Sequence, residues 1–332
     1  MDGGTGETKT KTTVCVTGAG GFIASWLVQL LLSRGDYVVH GTARDPSDPK
    51  NAHLMALDGA AERLRLFKAD LLDYASVAAA VVGCDGVFHV ASPVPAVNPT
   101  NPDEVLALAV TGTRHVLAAS HAARVRRVVV VSSVGAVAMD PKIPDGAVVD
   151  EDSWSDEDYC RTVENWYCLS KTVAEREALA YGAKTGMEVV TVCPSWVPGP
   201  PLQLQPTAAL VVNTTSMRLV TYLKGKNTEE KMSNMVDARD VADALVLAYE
   251  TPEASGQRYI CSAHTMKVSE MMGLVKSLHL DLKLDYPRKF VQAEDEKGVS
   301  SKRLQALGWK FRTAEETLSD TIDSYKAAGI LN

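Results

Sequence analysis

An α/β fold is predicted, a doubly wound parallel sheet with a smaller C-terminal lobe. Three observations predict it. Short apolar strands alternate with helical stretches through about residue 195, a glycine-rich turn joins the first strand to the first helix, and Pro194, Pro198, Pro200, Pro201 and Pro206 then interrupt the rhythm. Strand–helix alternation implies parallel strands joined by crossover helices. A proline cluster after the last strand implies a loop leaving the sheet.

The first twelve residues are polar, lack an apolar secretion core and are expected to form a disordered tail. Residues 13–17, Thr-Val-Cys-Val-Thr, read as a buried strand. Gly18-Ala19-Gly20-Gly21-Phe22-Ile23-Ala24 follows, and residues 25–32 read as a helix stopped by Gly35. Strand, glycine turn and helix is the context of a dinucleotide-binding, Rossmann-type fold. Gly18 permits the tight turn, and Gly21 lets the backbone approach a pyrophosphate placed on the helix N-terminus, where free N–H groups favour an anion. Ala24 takes the third small position, and the spacing is Gly-x-x-Gly-x-x-Ala rather than Gly-x-Gly-x-x-Gly.

The second strand, 37–43, ends at Arg44. An acidic residue there would accept from an NAD ribose, whereas the guanidinium fork suits a 2′-phosphate. Asp45 stands one position late for the NAD role, and Lys50 offers a second positive charge, so NADP(H) is the expected cofactor. Further strands are expected at 64–69, 86–91, 128–133 and 188–193, with helices at 102–124 and 166–185. Ligands of such sheets bind at the carboxyl ends of strands. Ala91, Ser92 and the pair Ser132-Ser133 fall there, and so do Asp70 and Leu71, where adenine is expected; for Asp70, capping the next helix is an equal alternative. Residues 13–195 therefore form the nucleotide-binding part. The segment 196–332 mainly supplies the lobe, with a helix over 207–225 and a return to the main body over about 236–262 that includes Arg239-Asp240-Val241-Ala242.

Composition narrows the partners. With 332 residues, 46% of them hydrophobic, the chain can bury a large core. A net charge of −7 argues against nucleic acid or an anionic membrane surface, and no apolar run reaches membrane-spanning length. The six cysteines are scattered without a Cys-x-x-Cys, which fits reduced thiols in the cytoplasm. Cys160 and Cys168 flank the start of the 166–185 helix as a candidate reactive pair, and the seven histidines have no metal-ligand spacing, so no metal is expected. A monomer or homodimer acting on a small molecule is the expected assembly.

Tyr167 and Lys171 lie four residues apart on that helix and share a face, and Ser133 ends an apolar strand. An ammonium beside a phenol favours the phenolate and is expected to lower the Tyr167 pKa toward neutrality. Tyr167 then becomes an acid able to protonate an oxygen as negative charge develops on it. Tyr222 and Lys226 repeat the spacing, without a serine-bearing strand before them.

Thr17-Gly18-x-x-Gly21-Phe22-Ile23-Ala24, the Ser133/Tyr167/Lys171 trio and Arg239-Asp240-Val241-Ala242 together resemble the extended short-chain dehydrogenase/reductases. The runs 48–54, Trp154-Ser155-Asp156 and Asn165-Trp166-Tyr167-Cys168 are similar to the plant branch of cinnamoyl-CoA and dihydroflavonol reductases, the former most. The similarity spans roughly residues 12–330. It implies hydride transfer from NADPH, with Ser133 hydrogen-bonding the substrate carbonyl oxygen, Tyr167 protonating it and Lys171 holding the nicotinamide ribose. Ser132 is the competing serine, and the family's spacing favours Ser133. Arg44 and Lys50 match the branch's NADP-selecting pair. Cofactor contacts are expected at Gly18, Gly21, Phe22, Ile23, Arg44, Lys50, Asp70, Leu71, Ala91, Ser92, Tyr167, Lys171, Pro194 and Val197. Two departures stand out: Leu169-Ser170 replaces Tyr-Gly of the signature, and Arg218 and Thr221 occupy lobe positions where the branch carries His and Lys. The leading expectation is a reductase of hydroxycinnamoyl-CoA thioesters in phenylpropanoid, lignin-type metabolism. An aldehyde or ketone reductase of the same fold is the alternative, and a catalytically idle NADP-binding protein is the third.

Overall fold

A computed structural model describes residues 11–94, 101–203, 214–282, 287 and 289–331. Most of the expected tail and the first part of the expected 207–225 helix lie outside these residues; the described part of that helix is Thr214–Leu223. Seven strands form the central sheet: β1 (Thr12–Val16), β2 (Tyr37–Ala43), β3 (Leu64–Lys68), β4 (Gly86–His89), β5 (Arg127–Val131), β6 (Glu188–Pro194) and β7 (Arg258–Cys261). Their order is β7-β6-β5-β4-β1-β2-β3, and every pairing is parallel. Sequence order reverses between β1 and β4, which opens a crevice at their carboxyl ends, where ligands of such sheets bind. The six strands read from the sequence are present. The seventh, Arg-Tyr-Ile-Cys, is polar at its start and flanked by turn residues, and it becomes a strand by pairing with Thr191–Pro194.

The main helices are α1 (Phe22–Arg34), α2 (Tyr74–Val81), α3 (Pro102–Ala122), α4 (Trp166–Thr185), α5 (Thr214–Leu223), α6 (Ala238–Glu250), α7 (Val268–Leu278) and α8 (Ala314–Ala327). α1 and α6 pack on one face of the sheet through Leu27, Leu31, Val241 and Leu245, all at 0% exposure. α2, α3 and α4 cover the other face through Val77, Val116, Leu117 and Ala178. Both faces are thus buried, as the uninterrupted run Arg127-Val-Val-Val-Val131 requires. Each buried leucine or valine contributes roughly 1.5–3 kcal/mol.

Local chemistry sets the helix ends. α3 begins at Asn101, whose side chain accepts from Asp103 N, with Pro102 in the first position. α4 begins at Asn165, which accepts from Cys168 N, and ends at Gly186 in the left-handed region (φ 75°). α6 begins at Asp237, which accepts from Arg239 N, so the helix starts one residue before the expected Arg239. α1 begins three residues earlier than the sequence suggests, directly at the glycine turn.

A separate apolar cluster joins α5, α7 and α8 through Leu219, Tyr222, Met271, Leu318 and Ile322. The antiparallel pair Met232–Met235 and His264–Lys267 lies beside it. Among the described residues, no helix is long and apolar enough to cross a membrane.

Candidate active site

The glycine turn is shaped by two neighbours. Gly18 has φ 65°, and a Cβ there would lie 2.9 Å from the Ala91 Cβ, so glycine is required both for backbone conformation and for close approach. Gly21 is the N-cap of α1 and provides no side-chain cap. The free N–H groups of the first turn remain available to an anion. Phe22 and Ile23, in that turn, are partly buried against the core.

A buried chain of hydrogen bonds ties this turn to Ala91. Thr113 Oγ1 donates to Ala109 O at 2.7 Å, which uses its proton, so the 3.1 Å contact with His89 Nε2 must be donated by the imidazole. His89 Nδ1 then accepts from Thr17 Oγ1 at 3.0 Å, and that oxygen accepts from Val90 N and Ala91 N. Burial pulls the His89 pKa down to about 3, so the ring is the neutral form that this pattern needs. Sequence reasoning missed His89 and Thr113. Their signal was polar residues placed opposite each other on an otherwise apolar strand and helix.

Arg44 ends β2 with an exposed side chain, and no described carboxylate forms an ion pair with it. Asp45, the residue that would have argued for NAD, spends Oδ1 on Ser47 N and Oγ in a turn. Lys50 is ion-paired with Asp48 at 2.8 Å, which differs from the free second cation expected there. Asp70 does not cap the next helix: its Oδ1 accepts from Leu72 N, and the cap of α2 is Asp73. Leu71 lies against Gly112, with its carbonyl held by His115. Pro194 closes β6, and Val197, just beyond, is buried in the main core. Ala91 and Ser92 line a small pocket with Lys171 at the end of β4.

Ser133, Tyr167 and Lys171 come together at the end of β5. Ser133 caps a short turn, its Oγ accepting from Gly135 N at 3.1 Å, and its side chain lies beside the Tyr167 phenol. A Cβ on Gly135 would stand 3.1 Å from Cys168 Sγ, 3.4 Å from Ser133 Oγ and 3.5 Å from Tyr167 Cε1, so all three side chains converge on this glycine. Glu164 takes a left-handed φ of 54° immediately before α4 and turns the chain so that Tyr167 enters in the first helical turn. Lys171 is 5% exposed, and its Nζ donates to Val131 O at 3.1 Å. Burial draws its pKa down to about 8, opposed by Cys193 and Glu175.

The Tyr167 pKa departs from expectation. Burial raises it, and the neighbouring Ser133 side chain pulls the other way. The physical reason is that the phenol is desolvated, while the Lys171 ammonium is engaged by the Val131 carbonyl. Tyr167 is thus held protonated, the form a proton donor needs.

Ser132 is committed elsewhere, giving its proton to Glu175 Oε2 at 2.7 Å. Tyr222 is fully buried in the lobe cluster, while α5 ends at Leu223 and Lys226 is exposed beyond it, so the second Tyr–Lys spacing forms no pair. Cys160 and Cys168 are free thiols whose pKa values burial raises to about 11 and about 12, so neither is a ready nucleophile. The motif at Arg239-Asp240 is architectural: Asp240 accepts from the Arg312 side chain and from Arg312 N at 2.9 Å, and its carbonyl accepts from Trp309 Nε1. The departures from the signature also face inward, since Leu169 is 1% and Ser170 0% exposed, and Ser170 Oγ donates to Tyr167 O. Arg218 donates to Glu296 Oε1 at 2.8 Å and Ser233 Oγ at 2.7 Å and stacks 4.9 Å above the Trp196 ring. Thr221 Oγ1 donates back to Arg218 O.

The groups present fit a dinucleotide: an uncapped helix N-terminus, a cradle at Gly18 that a Cβ would fill, and the exposed Arg44 guanidinium. Comparison with known proteins agrees. Residues 14–262 match the model of the NAD dependent epimerase/dehydratase family. Cinnamoyl-CoA reductase 1 of Petunia hybrida is 44% identical over 96% of this chain and 93% of its own length. Cinnamoyl-CoA reductase 2 of Medicago truncatula is 45% identical over the same shares. Among solved structures, vestitone reductase from alfalfa superposes with a TM-score of 0.82 at 32% identity, covering 96% of this chain and 99% of that one. A yeast methylglyoxal/isovaleraldehyde reductase complexed with NADPH gives the same TM-score at 27% identity and the same coverages.

Proposed function

The chain belongs to the NAD dependent epimerase/dehydratase family, and on that premise we propose that it is an NADPH-dependent reductase of hydroxycinnamoyl-CoA thioesters, yielding the aldehyde and free CoA. The observation that carries the chemistry is the juxtaposition of Ser133 and Tyr167, with Lys171 one helical turn away, at the carboxyl ends of the strands that also carry the glycine turn. The similarity to cinnamoyl-CoA reductases over nearly the whole chain supports the thioester as substrate.

NADPH supplies a hydride to the thioester carbonyl carbon. Ser133 donates a hydrogen bond to the carbonyl oxygen, where negative charge develops. Tyr167, protonated at neutral pH, gives that oxygen its proton. The Lys171 ammonium would hold the nicotinamide ribose and, once turned from Val131 O toward the phenol, ease the loss of that proton. The tetrahedral hemithioacetal then expels CoA thiol and leaves the aldehyde, so one thioester consumes one NADPH and one proton. Residues 13–195, with the return segment at about 236–262, hold the cofactor. Gly18, Gly21, Phe22 and Ile23 would hold its pyrophosphate, Arg44 and Lys50 its 2′-phosphate, and Asp70 and Leu71 its adenine. Ala91, Ser92, Pro194 and Val197 would hold the remainder. Lys50 must exchange its Asp48 partner to take part. The segment 196–332 mainly forms the substrate side.

A second reading, an aldehyde or ketone reductase, is favoured by one observation: Arg218 is neutralised by Glu296 and is not presented as a free cation to a CoA phosphate. NADPH absorbance followed with a panel of CoA thioesters and the matching aldehydes separates the two. Turnover of thioesters supports the first reading, and turnover of aldehydes alone replaces it with the second.

A further inference from the structure

Glu175 lies one turn beyond Lys171 on the same helix and has no part in the reaction just described, yet its side chain is fully buried. Its carboxylate accepts from Ser132 Oγ at 2.7 Å, Thr191 Oγ1 at 2.6 Å and Arg258 Nε at 2.8 Å. Arg258 is itself held: its Nη1 donates to the carbonyls of Glu151 and Ser153, each at 2.8 Å, and its guanidinium carbon lies 3.4 Å over the Trp154 ring. One buried ion pair thus joins the helix carrying Tyr167 and Lys171 to the residue beside Ser133, to β6 and to β7. A buried pair is weak evidence for stability, because apolar residues of the same volume usually serve as well. What this pair adds is direction: the roll of α4 against the strand end at Ser133 is fixed by oriented hydrogen bonds.

The charge is placed where the reaction uses it. Among the described residues, the titratable groups set against Lys171 are Glu175 on its own helix, His89 on β4 and Cys193 on β6, with Tyr167 one helical turn before it. Burial keeps His89 neutral, the Cys193 thiol protonated and the Tyr167 phenol protonated. Glu175 is the carboxylate of that set, and it lines the same small pocket as Lys171.

We propose that Glu175, clamped by Arg258, is a positioning residue for the reduction, aligning Tyr167 with Ser133 and sustaining the Lys171 ammonium. This rests on the roles assigned to Tyr167 and Lys171, and Tyr167→Phe tests those separately. The experiment compares wild type, Glu175→Gln, the double variant Glu175→Gln/Arg258→Met, and Tyr167→Phe as full-length proteins. It records melting temperature, kcat and KM for NADPH, and the pH profile of kcat.

Glu175→Gln is expected to lower kcat about tenfold or more while changing KM for NADPH by less than about threefold. Its alkaline limb should move to lower pH, because the carboxylate that favours the charged lysine is gone. The double variant removes the uncompensated guanidinium, so its melting temperature should recover while kcat and the limb do not. Recovery of both in the double variant, or an unchanged limb in Glu175→Gln, would reduce the pair to a structural brace and overturn the proposal. If Tyr167→Phe retains turnover, the site reading itself falls; if it is inactive while Glu175→Gln behaves as wild type, the positioning role alone falls.

Discussion

The end of β5 and the lobe around Arg218 solve similar problems by different means. At β5, Ser133, Tyr167 and Lys171 are fixed by a strand end, a capped helix and hydrogen bonds to backbone, against a sheet buried on both faces. In the lobe, Arg218 is fixed by side chains alone, Glu296 and Ser233, over the Trp196 ring. The groups assigned here to the reaction sit on elements whose geometry the backbone dictates. Groups on the side assigned here to the substrate depend on contacts between distant parts of the chain, where exchange of a few residues alters recognition without disturbing the chemistry.

The largest expected effect breaks the first region. Tyr167→Phe removes the proton donor and should lower kcat by about 100- to 10,000-fold, with NADPH affinity unchanged in a fluorescence titration; comparable loss of affinity would assign Tyr167 to binding instead. Next, Arg44→Ala should weaken NADPH more than about tenfold, since a charge-assisted contact is lost, and leave NADH nearly unaffected. Equal weakening of both would contradict the 2′-phosphate role.

The pH dependence follows from Lys171, whose folded-state pKa is about 8, lowered by burial. Below that value the ammonium is present; above it the charge is lost and kcat should fall about tenfold per pH unit at the limit. A rate that stays flat through pH 8 to 10 would exclude a charged lysine from the rate-limiting step. In the lobe, Arg218→Ala should raise KM for the acyl substrate a few-fold, the worth of about 1 kcal/mol, with kcat and NADPH affinity intact. A matching fall in kcat would make the lobe part of the reaction machinery. The smallest functional change is expected from Leu169→Tyr. That side chain faces the core, so the variant should lose about 1–3 kcal/mol of stability by overpacking and keep its substrate preference; a switched preference would reopen the signature departure as a specificity determinant.

The contrast also explains what the sequence disclosed. The first six strands, the glycine turn and the Tyr167/Lys171 face were legible because each is local: period, spacing and turn residues lie within a few positions of one another. β7 was not, because Arg258–Cys261 becomes a strand only through pairing with β6. For Asp70 the sequence left a helix cap and a cofactor contact level, and Asp73, three residues on, turns out to make the cap. The upward shift of the Tyr167 pKa was out of reach, since spacing places an ammonium near a phenol but says nothing of the Val131 carbonyl that engages it. Glu175 with Arg258, and the Arg218–Glu296 pair, join residues 83 and 78 positions apart, beyond any local signal.

The most direct test follows free CoA thiol and NADPH together while the protein acts on a hydroxycinnamoyl-CoA thioester. Thiol should appear in equal amount to NADPH oxidised, and both should cease in Tyr167→Phe. NADPH consumption with the matching aldehyde, and no thiol released from the thioester, would contradict the account.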